Sequence, residues 1–133
     1  MPVSKETGSI FLTLPFFPPE TEGIAENFDL SPATQKEYFG ILFKGYISVP
    51  EDGLYRFSVV SDDGSRLYIG DELVVDNDGL HGPAEITGQI ILEKGTHSIR
   101  VDFFQGSGGI DLAVAYQGPG IERQLIPAAI LSH

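Results

Sequence analysis

Along this chain, large apolar residues alternate with polar ones over short stretches. In Tyr55-Arg56-Phe57-Ser58-Val59 every second residue is large and apolar, the period-two signature of a half-buried strand. The same period runs through 41–49, where Ile41, Phe43, Gly45, Ile47 and Val49 share one face and Leu42, Lys44, Tyr46 and Ser48 the other. It returns in 97–104, with Ile99, Val101 and Phe103 opposed to Ser98, Arg100, Asp102 and Phe104. Leu112, Val114 and Tyr116 form the inward face of a further strand, with Ala113 and Ala115 outward. Residues 10–14 read as a first strand stopped by Pro15, and 85–92 as a strand of imperfect alternation around Ile86, Gln89, Ile90 and Ile91. The pattern places Phe43, Tyr55, Phe57, Leu67, Ile69, Val101, Phe103, Leu112 and Val114 in the core.

Turn chemistry separates these stretches. Ser61-Asp62-Asp63-Gly64 is a turn, because Asp bonds its own backbone and Gly supplies a positive φ. Gly70-Asp71 between 66–69 and 72–75 is a Gly-first two-residue loop, which favours a type II′ hairpin. Pro50-Glu51-Asp52-Gly53 predicts a second hairpin, pairing 41–49 with the strand that follows. Pro18-Pro19 with the next residues to Gly23 reads as a loop, and Ser31-Pro32 as the start of a short helical turn within 29–34. Gly118-Pro119-Gly120 ends a strand, and the tail 121–131 is expected to dock back along the body. About eight or more short strands without an amphipathic helix predict an all-β, antiparallel β-sandwich, with an up-and-down barrel as the alternative.

Length and charge narrow the function. The 133 residues suit a single domain spanning 1–133, with 1–8 as a flexible leader. Eight basic against 19 acidic residues give a net charge of −11, which repels phosphate backbones and anionic membranes, so no nucleic acid is expected as a partner. No apolar run is long enough to insert into a membrane, and the first residues lack the regions of a signal peptide. With no Cys, disulfides, thiolate metal sites and cysteine nucleophiles are excluded. Neutral sugars and cations remain open.

The candidate chemistry gathers at one end of the predicted ribbon. With Ile69 opposite Glu72, an unbroken register puts Ser65 opposite Asp76 and Asp63 near Asp78. Asp62, Asp63, Asp76 and Asp78, with the Asn77 amide, then crowd together. Four such carboxylates repel one another unless a hard cation such as calcium lies among them or water screens them as open turns. The metal candidates are Asp62, Asp63 and Asp78. His81 follows closely and is a candidate ligand contact, whereas His97 on a strand and the terminal His133 have no zinc-like spacing. Adjacent Asp62 and Asp63 cannot straddle a glycosidic bond from opposite faces, and no GxSxG elbow occurs, so the module is not expected to be an enzyme. Tyr46, Tyr68 and Phe104 are expected to point outward, where a ring could stack on a sugar.

The ordered stretches GYISVPEDGLYRFSVVSDDGSRLYIGDELVVDN, EKGTHSIRVDFFQGSGG and LAVAYQGPG resemble the fourteen-kilodalton module first seen in anthrax protective antigen. The resemblance runs from about Phe43 to Gly120. It implies a β-sandwich carried as a module by glycoside hydrolases, toxins and yeast adhesins. In the adhesins an adjacent Asp-Asp pair binds calcium and, through it, vicinal sugar hydroxyls, and Asp62-Asp63 matches that pair. The adhesins add an Asn and backbone oxygens from a later loop; here the matching loop is 105–109, and it contains no Asn. The resemblance points to Asp62, Asp63 and the loop with Gln105 and Ser107, and the crowded ribbon end adds Asn77 and His81, as the candidate carbohydrate site. The expected function is a noncatalytic glycan-binding module of a larger secreted, periplasmic or cell-surface protein, with a bacterial glycoside hydrolase as the parent and its catalytic domain as neighbour. The rival is a structural or protein-interaction domain that shapes such a neighbour without binding sugar.

Overall fold

Among the described residues, period-two alternation becomes eleven strands in two antiparallel sheets, so the β-sandwich is the fold. The computed structural model describes residues 10–14, 21–25, 39–62, 64–77, 84–105 and 111–133. The strands are β1 (Ile10–Leu14), β2 (Thr21–Ala25), β3 (Phe39–Val49), β4 (Gly53–Asp62), β5 (Gly64–Ile69) and β6 (Glu72–Asn77). After these come β7 (Ala84–Leu92), β8 (Gly95–Gln105), β9 (Asp111–Gly118), β10 (Ile121–Leu125) and β11 (Leu131–Ser132), with a 3-10 turn at Ala128–Ile130. One sheet runs β2-β1-β3-β8-β5-β6, with β11 alongside β3; the other runs β10-β9-β4-β7.

The core lies between the sheets and is built as the alternation dictates. Phe43, Tyr55, Phe57, Leu67, Ile69, Val101, Phe103, Leu112 and Val114 are all buried, joined by Ile41, Ile47, Val75, Ile99, Tyr116, Ile126 and Leu131. Phe57 and Tyr116 meet as a tilted ring pair with centroids 6.3 Å apart. The tail does dock back: β10 pairs with β9, and Leu131 and Ser132 pair with Ile47 and Tyr46.

Three local expectations fail. The segment 21–25 is a strand paired with β1 rather than a loop. The strands on either side of Pro50–Gly53 do not form a hairpin, because β3 pairs with β8 and β4 pairs with β7 and β9. The turn is therefore a corner that carries the chain from one sheet to the other, and β4 returns through a second corner at residues 62–64. The β5–β6 hairpin starts as expected, with Ile69 opposite Glu72 and Gly70 at φ +59°, but its register shifts between Leu67 and Tyr68. Tyr68 faces Leu73 and Leu67 faces Val75, so Val74 is an extra, bulged residue. Ser65 consequently stands opposite Asn77, not Asp76, and Arg66 opposite Asp76. The bulge brings the Val74 carbonyl against β7, where a Cβ on Gly88 would lie 1.8 Å from its oxygen. The sandwich thus closes along its β6–β7 side. The predicted helical turn at 29–34 and leader at 1–8 lie outside the described residues.

Candidate functional site

The 62–64 corner is where the strand ends of both sheets converge. β4 ends there at Asp62 and β5 begins at Gly64. Antiparallel topology brings to the same end Asn77, Ala84, Gln105 and Asp111, the described residues that flank positions 78–83 and 106–110. Asp62, Asn77 and Gln105 are therefore brought to one end, as the sequence suggested. Asp63, Asp78, His81 and Ser107 lie outside the described residues.

Beneath the corner is a polar bracket with no exposed member. The Ser61 and Ser65 hydroxyls, on opposite sheets, share a hydrogen bond of 2.7 Å. Asn77, also buried, donates its Nδ2 to the Val59 carbonyl at 3.1 Å and the Ala84 carbonyl at 2.8 Å. Its side chain thereby ties β6 of the larger sheet to β4 and β7 of the smaller one. The Asn77 amide nitrogen is thus engaged with the protein itself. Asp62 is 6% exposed, an unusual position for a carboxylate, since acidic side chains are almost never fully buried unless they are partnered.

Of the expected carboxylates, Asp63 and Asp78 lie outside the described residues. Asp76 is exposed and pairs with Arg66 at 3.4 Å, which the shifted register explains. The register of β4 and β9 instead sets Asp111 opposite Asp62. Sequence reading missed this residue because the pairing spans 49 positions and carries no local signal. Among the described residues, no three His, Asp or Glu side chains lie close enough to hold a metal ion.

A second concave region lies on the outer face of the larger sheet. A cleft of about 440 Å³ is lined by Lys44, Tyr46, Gly70, Ser98, Arg100 and His133, with Gly45 and Ile99 below. A smaller one of about 270 Å³ adjoins it through Arg100 and includes Arg66, Asp102 and Phe104. Arg100 is fixed by a two-pronged bond to Asp102, Nε to Oδ1 and Nη2 to Oδ2 at 2.7 Å each, and lies 5.1 Å over the Tyr68 ring. That fork raises the guanidinium pKa further above its ordinary value. Tyr46 and Phe104 are partly exposed on this face, as their alternation predicts.

Comparison with known proteins gives this geometry a family. The chain is 24% identical over 97 residues to anti-sigma-I factor RsgI3 of Acetivibrio thermocellus, covering 72% of this chain and 15% of that protein. An anti-sigma factor domain-containing protein from Clostridium clariflavum superposes with a TM-score of 0.82 at 24% identity, over 95% of this chain and 48% of that one. A PA14 sugar-binding domain from an RTX adhesin superposes with a TM-score of 0.66 at 23% identity, over 73% and 55% of the two chains. This chain therefore spans less than half the length of both anti-sigma relatives. Residues 26–129 match the PA14 domain model, most of the sequence, and the chain belongs to the PA14 domain family.

Proposed function

We propose that this PA14 domain is a noncatalytic recognition module that binds a neutral glycan at the 62–64 corner. The observation that carries the reading is Asp62, held almost out of solvent at the end of β4 above the Ser61–Ser65–Asn77 bracket and opposite Asp111. A bracket that fixes backbone on both sheets holds a ligand-facing corner still, which lowers the entropy lost on binding. Calcium fits the donor chemistry: Asp62, with Asp63, Asp78 and the Asp111 position, offers the hard oxygen ligands the ion takes. When bound, the ion would supply an electrophilic centre for vicinal hydroxyls, while Asn77 keeps its structural task.

A sugar-binding domain of the same family in an adhesin supports the ligand class. For the parent protein, similarity to two anti-sigma factors supports a regulator at least as well as a glycoside hydrolase. In either parent the domain acts outside the catalytic or regulatory machinery, in a secreted or cell-surface setting. The rival reading, an interaction domain without sugar affinity, predicts a silent corner.

Chemical-shift mapping with a panel of neutral oligosaccharides, with calcium and after chelation, decides between them. The expected result is calcium-dependent movement of the Asp62, Gly64, Gln105 and Asp111 amides, lost in Asp62→Asn. Affinity in the high-micromolar to millimolar range, about 4 to 6 kcal/mol, suits one shallow site. No movement at the corner with any sugar would establish the interaction domain instead.

A further inference from the structure

We propose that the outer face of the larger sheet holds a second binding site, separate from the 62–64 corner, that takes a carboxylate-bearing sugar at Lys44, Tyr46, Ser98 and Arg100. The first observation is charge. The chain carries a net −11, with 19 acidic residues to 8 basic ones, yet the described side chains lining the 440 Å³ cleft include the cations Lys44 and Arg100 and none from Asp or Glu. Asp102 belongs to the adjoining cleft, where it is engaged in the fork with Arg100.

The second observation is register. Lys44 and Arg100 are direct partners across the β3–β8 ladder. Like charges placed directly opposite destabilise a sheet, and a local conflict of this kind is expected where a ligand relieves it. Asp102 compensates Arg100 from one side only, since its two bonds occupy Nε and Nη2 and leave Nη1 outside the fork. An anion lying between the Lys44 ammonium and that nitrogen would receive charge-assisted bonds from both.

The neighbouring row supplies the rest of a sugar site. Tyr46 and Ser98 are partners one step along the same ladder, two residues or about 7 Å from the cationic pair. That separation matches the distance from a sugar's carboxylate to its far ring edge. Tyr46 is 37% exposed, so its ring can cover the apolar face of a pyranose, and the Ser98 hydroxyl can bond the sugar's own. The Asp102 fork and the Tyr68 ring both hold Arg100, which reduces the ordering left for a ligand to impose. The cleft volume lies within the range of small-ligand sites.

The test is titration of the unmodified chain with glucuronate, glucose and sulfate at low salt, followed by amide shifts and calorimetry. Glucuronate is expected to move Lys44, Tyr46, Ser98 and Arg100, with glucose at least about tenfold weaker, sulfate weaker than glucuronate, and glucuronate affinity falling as salt rises. Lys44→Gln, a change at an exposed position, is expected to weaken glucuronate about tenfold without lowering the melting temperature. Asp62→Asn is expected to leave glucuronate binding unchanged, which separates this site from the corner whether or not the corner binds sugar. Equal affinity for glucose would overturn the role of charge. Equal affinity for sulfate would reduce the site to a simple anion cradle, and shifts confined to the 62–64 corner or absent altogether would remove it.

Discussion

The chain leaves the larger sheet to form β4 and returns to it through two corners built on opposite principles. At residues 50–53 the corner is closed by shape and main chain. Tyr55 donates its hydroxyl to the Glu51 carbonyl at 2.7 Å, and the Asp52 carboxylate accepts the Lys94 amide at 2.7 Å. The Tyr55 ring fills the space over Gly118, where a Cβ would sit 2.3 Å from it. At residues 62–64 the closure is instead a hydroxyl pair and an amide, all buried. Apolar packing would close a corner at less desolvation cost, so a fully satisfied polar bracket is a means of fixing geometry rather than of adding stability. The first corner is held by shape, the second by directional bonds between buried polar groups.

The contrast can be broken most forcefully at the first corner. Gly118→Ala drives a methyl into a ring that its own hydroxyl bond holds in place, and is expected to cost about 3 kcal/mol in urea titration. A loss below about 1 kcal/mol would mean that Tyr55 moves aside and the corner is not locked by shape. At the second corner, Asn77→Ala strips the Val59 and Ala84 carbonyls of a donor and is expected to cost about 2 kcal/mol. Stability unchanged within error would show water replacing the amide and the bracket holding nothing.

Smaller effects sharpen the same contrast. Ser61→Ala and Ser65→Ala should each cost about 1 kcal/mol, and the double variant less than their sum, giving a coupling near 1 kcal/mol in a double-mutant cycle. Strict additivity would mean that the two hydroxyls are independent. The smallest effect concerns pH. Burial, with a lesser contribution from Tyr55, raises the Tyr116 pKa above its ordinary value of 10.0. The native state then holds this proton more tightly than the unfolded chain, so the contribution is complete below pH 10 and is lost as pH climbs through the raised value. Tyr116→Phe should flatten the fall in stability above pH 10, and an unchanged slope would show that the aromatic half of β9 near Gly118 is wet.

What the sequence revealed follows from the range of each interaction. Period-two alternation is local, and Phe43, Phe57, Leu67, Val101 and Val114 were placed in the core from it alone. Turn chemistry is local too, but it does not say whether its flanking strands pair. Pro50–Gly53 would suit a hairpin and serves as a sheet-to-sheet corner, because the better partner for β3 is β8, some fifty residues on. The bulge at Val74 left no mark in a stretch where Leu73, Val74 and Val75 are all apolar, and it alone moved Asn77 opposite Ser65. Within the candidate site, Asp62 was visible as turn chemistry, whereas Asp111 could be found only through the β4–β9 pairing. The pairing of Lys44 with Arg100 is equally a product of folding.

The close approach of Val74 to Gly88 also bears on how the molecule avoids its own kind. β6 and β7 are the last strands of their sheets, and each would otherwise offer a row of free amides and carbonyls to a second copy. Because the bulged carbonyl sits where a Gly88 side chain would be, the two borders shield each other without forming a ladder. Any side chain at position 88 would prise them apart, and the exposed Leu73 and Ile86 on those same strands would lie along the opened seam. That glycine guards against aggregation: a variant there would be lost first to fibrous or amorphous association in concentrated solution, before heat or denaturant had unfolded it.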